Sequence, residues 1–212
     1  MRSQRKLPVS EGSNRLDQIY FVSAKIFCEK GYDASSMSDI ADAVGITKAG
    51  IYHHVKSKQD LLFAIMNFGM DRLEKYVIAE ARAADDAEQR LRTIIRNHAL
   101  LIIEGTTLAG YNPVTVLNGE MAGLTPAHRR RVLQRKRTYF DLVRDTLLQL
   151  KEEGKLKDVD ATVAAFSLFG MLLWLSRWYR LEGRLSGEEI ANELEKIALG
   201  GMLRPRAWLA GK

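Results

Sequence analysis

The sequence lacks a disulfide framework, a metal-ligand cluster and any nucleophile motif, and each gap removes a class of function. Cys28 is the only cysteine in 212 residues. No bridge can form within the chain, which argues against a cystine-stapled secreted scaffold and for a reducing cytoplasm. Cys28 falls in an apolar helical pattern and is expected to be an inert, partly buried thiol. The four histidines are His53, His54, His98 and His128. None has a histidine or cysteine three or four residues away, the spacing that would let one helix hold a metal. No glycine-rich phosphate loop and no nucleophile elbow occur. An enzyme is therefore not expected, and neither is a cofactor.

Membrane signals are missing too. Residues Met1 to Ser13 are polar and basic, without the apolar centre of a secretory signal. The most apolar stretch, Val163 to Leu175, contains Ser167 and Gly170 and runs into Arg177. It reads as too short to cross a bilayer. A cytoplasmic location with no membrane partner is the expectation.

Strand-like alternation of apolar and polar residues is almost absent, and there are only four prolines. Apolar residues recur instead at three- and four-residue steps, the period of helices. The fold class expected is all-α, with about nine helices. Hydrophobic residues make up 46% and charged residues 27%, the balance of a packed, soluble chain. The net charge of +6 suggests an anionic partner without naming one.

Helix ends are legible from caps. A first helix is expected over about Asn14 to Lys30, with Ile19, Val22, Ile26 and Phe27 inward and Gly31 as its stop. Ser36 with Asp39 opens a short helix that ends at Gly45. Thr47 caps another short one, expected to reach about Val55. Ser57 with Asp60 opens a long helix to about Ala83, expected to be a rigid connector. Beyond it, helices are expected over about 87–108, 114–121, 125–153, 160–181 and 186–199, the last closed by Gly200 and Gly201. This gives a flexible arm over 1–13, a three-helix part over 14–60, a larger helical part over 61–203 and a loose tail over 204–212.

Three helices of about 17, 8 and 8 residues, with a tight turn between the last two, have the spacing of a helix-turn-helix. Ile40, Ala41 and Val44 face inward on one helix, Ile46 fills the turn, and Ile51 and Val55 bury the inner side of the next. Lys48, Tyr52 and His53 are left on the outer side. Ser36 and Ser57 each have an aspartate three residues on, whereas Thr47 has Gly50. A helix start without an acid in its first turn can receive a phosphate. Lys58 adds a cation nearby. An ordinary packing unit with a solvated face would look similar, and the first 60 residues hold nine basic against seven acidic side chains, a weak bias.

The run Ser36-Met-Ser-Asp-Ile-Ala, then Ala43-Val-Gly-Ile-Thr-Lys-Ala-Gly-Ile-Tyr-His-His-Val55, then Ser57-Lys-Gln-Asp-Leu-Leu62, resembles the DNA-binding domain of the tetracycline-repressor (TetR) family. The likeness covers about Leu16 to Phe63. Glycine and a small residue are inverted at Ala49 and Gly50, and Val55 stands where phenylalanine is common. Both small residues still permit close approach to DNA. The resemblance implies double-stranded operator DNA as partner, with Ser36, Thr47, Lys48, Ala49, Gly50, Tyr52 and His53 at the groove or its phosphates and Lys58 on the backbone. His54 is assigned to packing.

The same resemblance implies that the remaining helices form a homodimer and bind a small effector. The stretch 160–181 is apolar nearly all round, as expected for a helix packed on its own domain and on a twin. A single thick monomeric core is the alternative. Phe166, Phe169, Leu173 and Trp174 form its apolar interior, followed by Arg177, Trp178, Arg180 and Arg184. Arginine binds phosphate through paired hydrogen bonds, and indole offers a flat apolar face. This segment resembles family members that sense acyl-coenzyme A thioesters. Structural aromatics with outward cations are the competing reading, and an uncharged hydrophobic compound is the competing effector. The basic run His128 to Arg137 reads as a solvated helix face or as attraction for a polyanion. A helical protein–protein adaptor without DNA binding is the remaining alternative function.

Overall fold

The computed structural model describes residues 15–109, 113–116 and 121–205. The expected arm, most of the expected tail and part of the short helix near 114–121 lie outside them. Among the described residues all regular elements are helical, apart from an isolated bridge between Leu156 and Leu203. The elements are α1 (Arg15–Lys30), α2 (Met37–Val44), α3 (Lys48–Tyr52), α4 (Lys58–Leu73), a π-helical turn Glu74–Ile78, α5 (Ala79–Arg82) and α6 (Ala87–Ala109). They continue with α7 (Pro113–Val116), a 3-10 turn Met121–Gly123, α8 (Pro126–Glu152), α9 (Ala161–Trp178) and α10 (Gly187–Met202).

The chain divides into two compact units. The first comprises the chain up to Gly69 together with Glu104–Arg129, and the second comprises Met70–Ile103 and Arg130–Lys212. In the first, Ile19 and Phe27 of α1, Ile40 and Ala41 of α2, Ile51 of α3, and Leu61, Leu62 and Ile65 of α4 are buried together as one apolar set. The segment Glu104–Arg129 belongs to this unit because α7 packs on α1 and the 3-10 turn closes on Tyr32. Gly123 is required there: a Cβ would stand 2.7 Å from the Tyr32 ring. The core of the second unit contains Val77, Ile78, Leu91, Ile94, Ile95, Val132, Val143, Leu147, Leu168, Leu172 and Ala191. Arg92 ties α6 to α10 by donating to Glu88 and Glu195, each at 2.7 Å, and Arg96 reaches Glu188 and Asn192 of α10.

Several boundaries differ from the sequence expectation. Helix α3 stops at Tyr52, because His53 caps it and the His54 amide bonds to the Ile51 carbonyl at 2.8 Å. The expected single long helix is interrupted by the π turn, where the Asn97 side chain donates to the Tyr76 carbonyl at 3.0 Å. Extra carbonyls freed by a π turn need such a partner. Helix α10 runs through Gly200 and Gly201, held by burial of Leu194, Ala198 and Leu199, and ends at Met202. Arg204 is tied down, its amide donating to the Lys155 carbonyl at 2.8 Å and its guanidinium to the Leu156 carbonyl at 3.0 Å. Cys28 is exposed rather than partly buried, since Phe27 takes the inward position and the next residue turns away by about a quarter of a turn. By length and composition α9 reaches the minimum for a membrane span, longer than the stretch considered from sequence. One side of it is nevertheless buried within its own unit by Ala164, Ala165, Leu168, Leu172 and Leu175.

Candidate nucleic-acid interface and effector segment

Helix α2 is held at its start by a reciprocal cap. The Asp39 amide donates to the Ser36 hydroxyl at 3.1 Å, and the Ser36 amide donates to the Asp39 carboxylate at 2.8 Å. These Ser36 bonds, with a 3.2 Å ion pair to Lys30, hold the Asp39 carboxyl down to about 2. The turn follows from Gly45, whose φ of 72° is left-handed and favours glycine, and from the Ile46 amide bonding to the Ala41 carbonyl at 3.0 Å. Thr47 then caps α3, its hydroxyl accepting from the Gly50 amide at 3.0 Å.

This geometry sorts the candidate residues. Lys48 and Tyr52, and Ala49 and His53, are each four apart, so they occupy one side of α3. All four are exposed, with Tyr52 at 44%, while Ile51 and Val55 anchor the opposite side in the core. Thr47 and Ser36 are exposed and Gly50 is half-buried. Lys58 is half-buried, its ammonium 4.3 Å over the Tyr32 ring and 3.5 Å from the Asp33 carbonyl. His54 is exposed and not packed, because the chain has already left α3 when it reaches that residue. The result is a protruding side of small, polar and cationic residues on a rigid apolar base, of a width a major groove of about 12 Å admits.

In the second unit the effector candidates do not form one interior. Phe169 and Leu173 are half-buried, whereas Phe166 (63% exposed) and Trp174 (65% exposed) share the outer side of α9 with Val163 and Gly170. Trp178, Arg177, Arg180 and Arg184 are exposed. Arg180 donates to the Tyr179 carbonyl at 2.8 Å and to the Arg177 carbonyl at 3.2 Å, so it caps the end of α9. In the basic run of α8, Arg135 pairs with Asp71 at 2.7 Å and His128 stacks flat on Phe63 at 4.0 Å.

A polar pair escaped the sequence reading. His98 of α6 is 1% exposed, and its Nδ1 lies 3.1 Å from the Tyr139 hydroxyl of α8. Its Nε2 has no hydrogen-bond partner among the described residues. Burial pushes the His98 imidazole down to about 4 and the Tyr139 phenol well up. The available signal was a histidine in line with Ile94, Ile95, Leu101 and Ile102.

A three-helix head whose α3 turns a polar side to solvent defines the class of helix-turn-helix transcriptional regulators. Residues 19–65 match the family described as bacterial regulatory proteins, tetR family, and residues 84–202 match the tetracyclin repressor-like C-terminal domain. The chain belongs to the TetR family and is a DNA-binding transcriptional repressor, not an enzyme. It is 26% identical over 196 residues, 91% of its length and 93% of the relative's, to the HTH-type transcriptional repressor KstR2 of Rhodococcus jostii. Its fold is similar to that of AibR, solved in complex with isovaleryl coenzyme A and operator DNA. The TM-score is 0.76 at 37% identity, covering 87% of this chain and 97% of that one. It is also similar to PfmR of Thermus thermophilus, with a TM-score of 0.74 at 29% identity, covering 87% of this chain and 98% of that one.

Proposed function

We propose that the protein holds a palindromic operator as a cytoplasmic homodimer and is released by a small hydrophobic effector. The DNA-reading part is residues 14–60, with the outer side of α3 in the major groove, Ser36 and Thr47 toward phosphates and Lys58 on the backbone. Residues 61–203 bind the effector and form the dimer. The observation that carries the reading is the pairing of an exposed polar α3 with an exposed apolar side on α9. The first suits DNA, whose phosphates can replace the water on it. The second, with Val163, Phe166 and Trp174 in water, needs a covering surface, as does Ile197 of α10. A second copy supplies one by a two-fold, and a dimer that reads successive major grooves holds its two α3 helices roughly 34–40 Å apart.

The first effector candidate is an acyl-coenzyme A thioester. AibR was solved with isovaleryl coenzyme A, and Arg177 and Arg184 are exposed, as are Trp174 and Trp178, and so are free to meet a phosphorylated nucleotide. An uncharged hydrophobic compound is the second, favoured by the engagement of Arg180 with backbone carbonyls. Either releases DNA only by binding the non-DNA-binding arrangement more tightly. Helix α4, which carries the chain from one unit into the next, is the expected lever. The test is fluorescence anisotropy of DNA from upstream of the protein's own gene, titrated with acyl-coenzyme A thioesters of graded length. Saturable binding of two protomers per site and release by a thioester are expected. A protein that binds no such DNA as a dimer contradicts the reading.

A further inference from the structure

The His98–Tyr139 pair poses a problem of buried hydrogen-bonding capacity. A buried donor or acceptor without a partner costs about 1–3 kcal/mol. A neutral imidazole has one N–H and one lone pair, and a phenol has one hydrogen to donate. Tyr139 has no hydrogen-bond partner other than His98 among the described residues. If Nδ1–H donated to Tyr139, both the phenol hydrogen and the Nε2 lone pair would be left over. If Tyr139 donates to Nδ1, the Nε2–H and the phenol oxygen's lone pairs are left over. The count is equal, but a phenol is the stronger donor and an imidazole nitrogen the stronger acceptor, so the second arrangement is the one expected of the pair. His98 therefore holds a buried N–H ready for an acceptor.

The surroundings say what would bring that acceptor. The Phe169 ring lies 6.2 Å from the imidazole and 5.3 Å from the Tyr139 ring. Phe140 follows at 6.0 Å from Phe169, and Phe166 at 4.6 Å from Phe140. The rings thus run in series from a buried imidazole to an exposed phenyl. An apolar body inserted among these rings would meet one hydrogen-bond donor at their inner end.

We propose that His98 is the polar anchor of the effector site, its Nε2–H donating to the carbonyl oxygen of a mostly apolar ligand, with Tyr139 fixing the tautomer. This rests on the ligand-responsive reading and narrows it: the effector carries a carbonyl-type acceptor on an apolar body, and that oxygen lies against α6. An aliphatic thioester and an aliphatic ketone both satisfy the requirement, whereas a hydrocarbon or a cationic amphiphile does not.

Nitrogen-15 histidine NMR of the full chain tests it. Without ligand, His98 is expected as the Nε2–H tautomer at neutral pH. Isovaleryl-coenzyme A and 4-methylpentan-2-one are the probes, and 3-methylbutyl-coenzyme A, a thioether without the carbonyl, is the control. Calorimetry should show the thioester binding about tenfold tighter than the thioether, one buried hydrogen bond's worth. That preference should vanish in His98→Phe and return in part in His98→Gln, whose amide N–H can occupy the Nε2 position. If His98→Phe fails to fold, Tyr139→Phe serves, with a reduced preference and a mixed tautomer expected. An Nδ1–H tautomer, or a probe that binds or releases DNA without moving the His98 signal, overturns the anchor and leaves the effector reading standing. If neither probe binds while another compound releases the operator, the anchor falls and the effector reading stands. A signal that exchanges with solvent and ignores every probe assigns the Nε2–H to a buried water and likewise overturns the anchor.

Discussion

The exposed side of α3 and the exposed side of α9 are built on the same plan and finished in opposite chemistry. Each helix buries one side in its own unit, through Ile51 in α3 and through Leu168, Leu172 and Leu175 in α9. The outward side of α3 carries Lys48, Tyr52 and His53, while that of α9 carries Val163, Phe166 and Trp174. Water satisfies the first until a phosphate replaces it. Water penalises the second, at roughly 25 cal/mol for each Å² of apolar surface left uncovered. A polar exposed side can wait for a transient partner, whereas an apolar one calls for a permanent partner. The same contrast holds inside the units. The first has Ser23 and Ser35 as its fully buried polar residues among those described, and the second has His98 and Thr146, with Tyr139 beside His98.

The largest expected effect breaks the α9 side. Replacing both Phe166 and Trp174 with glutamate should give a folded monomer by light scattering. Operator affinity should fall by at least about 100-fold, the loss expected when two linked half-site contacts become independent. A variant that stays dimeric and binds normally would show that another surface joins the subunits.

Next comes acid stability of the second unit. The folded His98 takes up its proton near 4, against about 6.5 when unfolded. The unfolded state therefore binds more protons between those values, and stability is present in full above about 6.5 and lost as pH falls toward 4. Urea midpoints should reveal about 2 kcal/mol lost between pH 7 and pH 5 that His98→Phe does not lose. Equal pH slopes for the two proteins would mean that the imidazole is solvated.

A smaller effect concerns the α3 side. Tyr52→Ala should weaken specific operator binding about tenfold while circular dichroism and the dimer are unchanged. Normal affinity would take Tyr52 out of the groove. The smallest is Lys58→Ala, a few-fold loss on every DNA sequence, with the salt slope flatter by about one. Because Lys58 also lies over Tyr32, a lowered melting temperature without a changed salt slope would assign it to packing.

The legibility of the two regions follows from how far apart their determinants are. The capping box at Ser36, the left-handed Gly45 and the Thr47 cap each join residues within a few positions, and all form as the sequence reads. The inward placement of Ile40, Ala41 and Ile51 is likewise a matter of period. The end of α3 was less visible, since nothing between Tyr52 and Val55 breaks a helix by composition. Termination there comes with a turn in which the His54 and Val55 amides both bond to the Ile51 carbonyl while Val55 packs inward.

What the sequence determined by itself was the all-helical class, the helix starts and the outward polar side of α3, because local hydrogen bonds and a 3.6-residue period settle these within one turn. Only the tertiary structure decided that Glu104–Arg129 joins the first unit, that Phe169 is half-buried while Phe166 stays exposed, and that Asn97 closes a π turn. It alone put Tyr139 against His98, 41 positions apart. Long-range packing depends on which side chains fill the same space, and a residue's period along its own helix carries no record of what lies opposite.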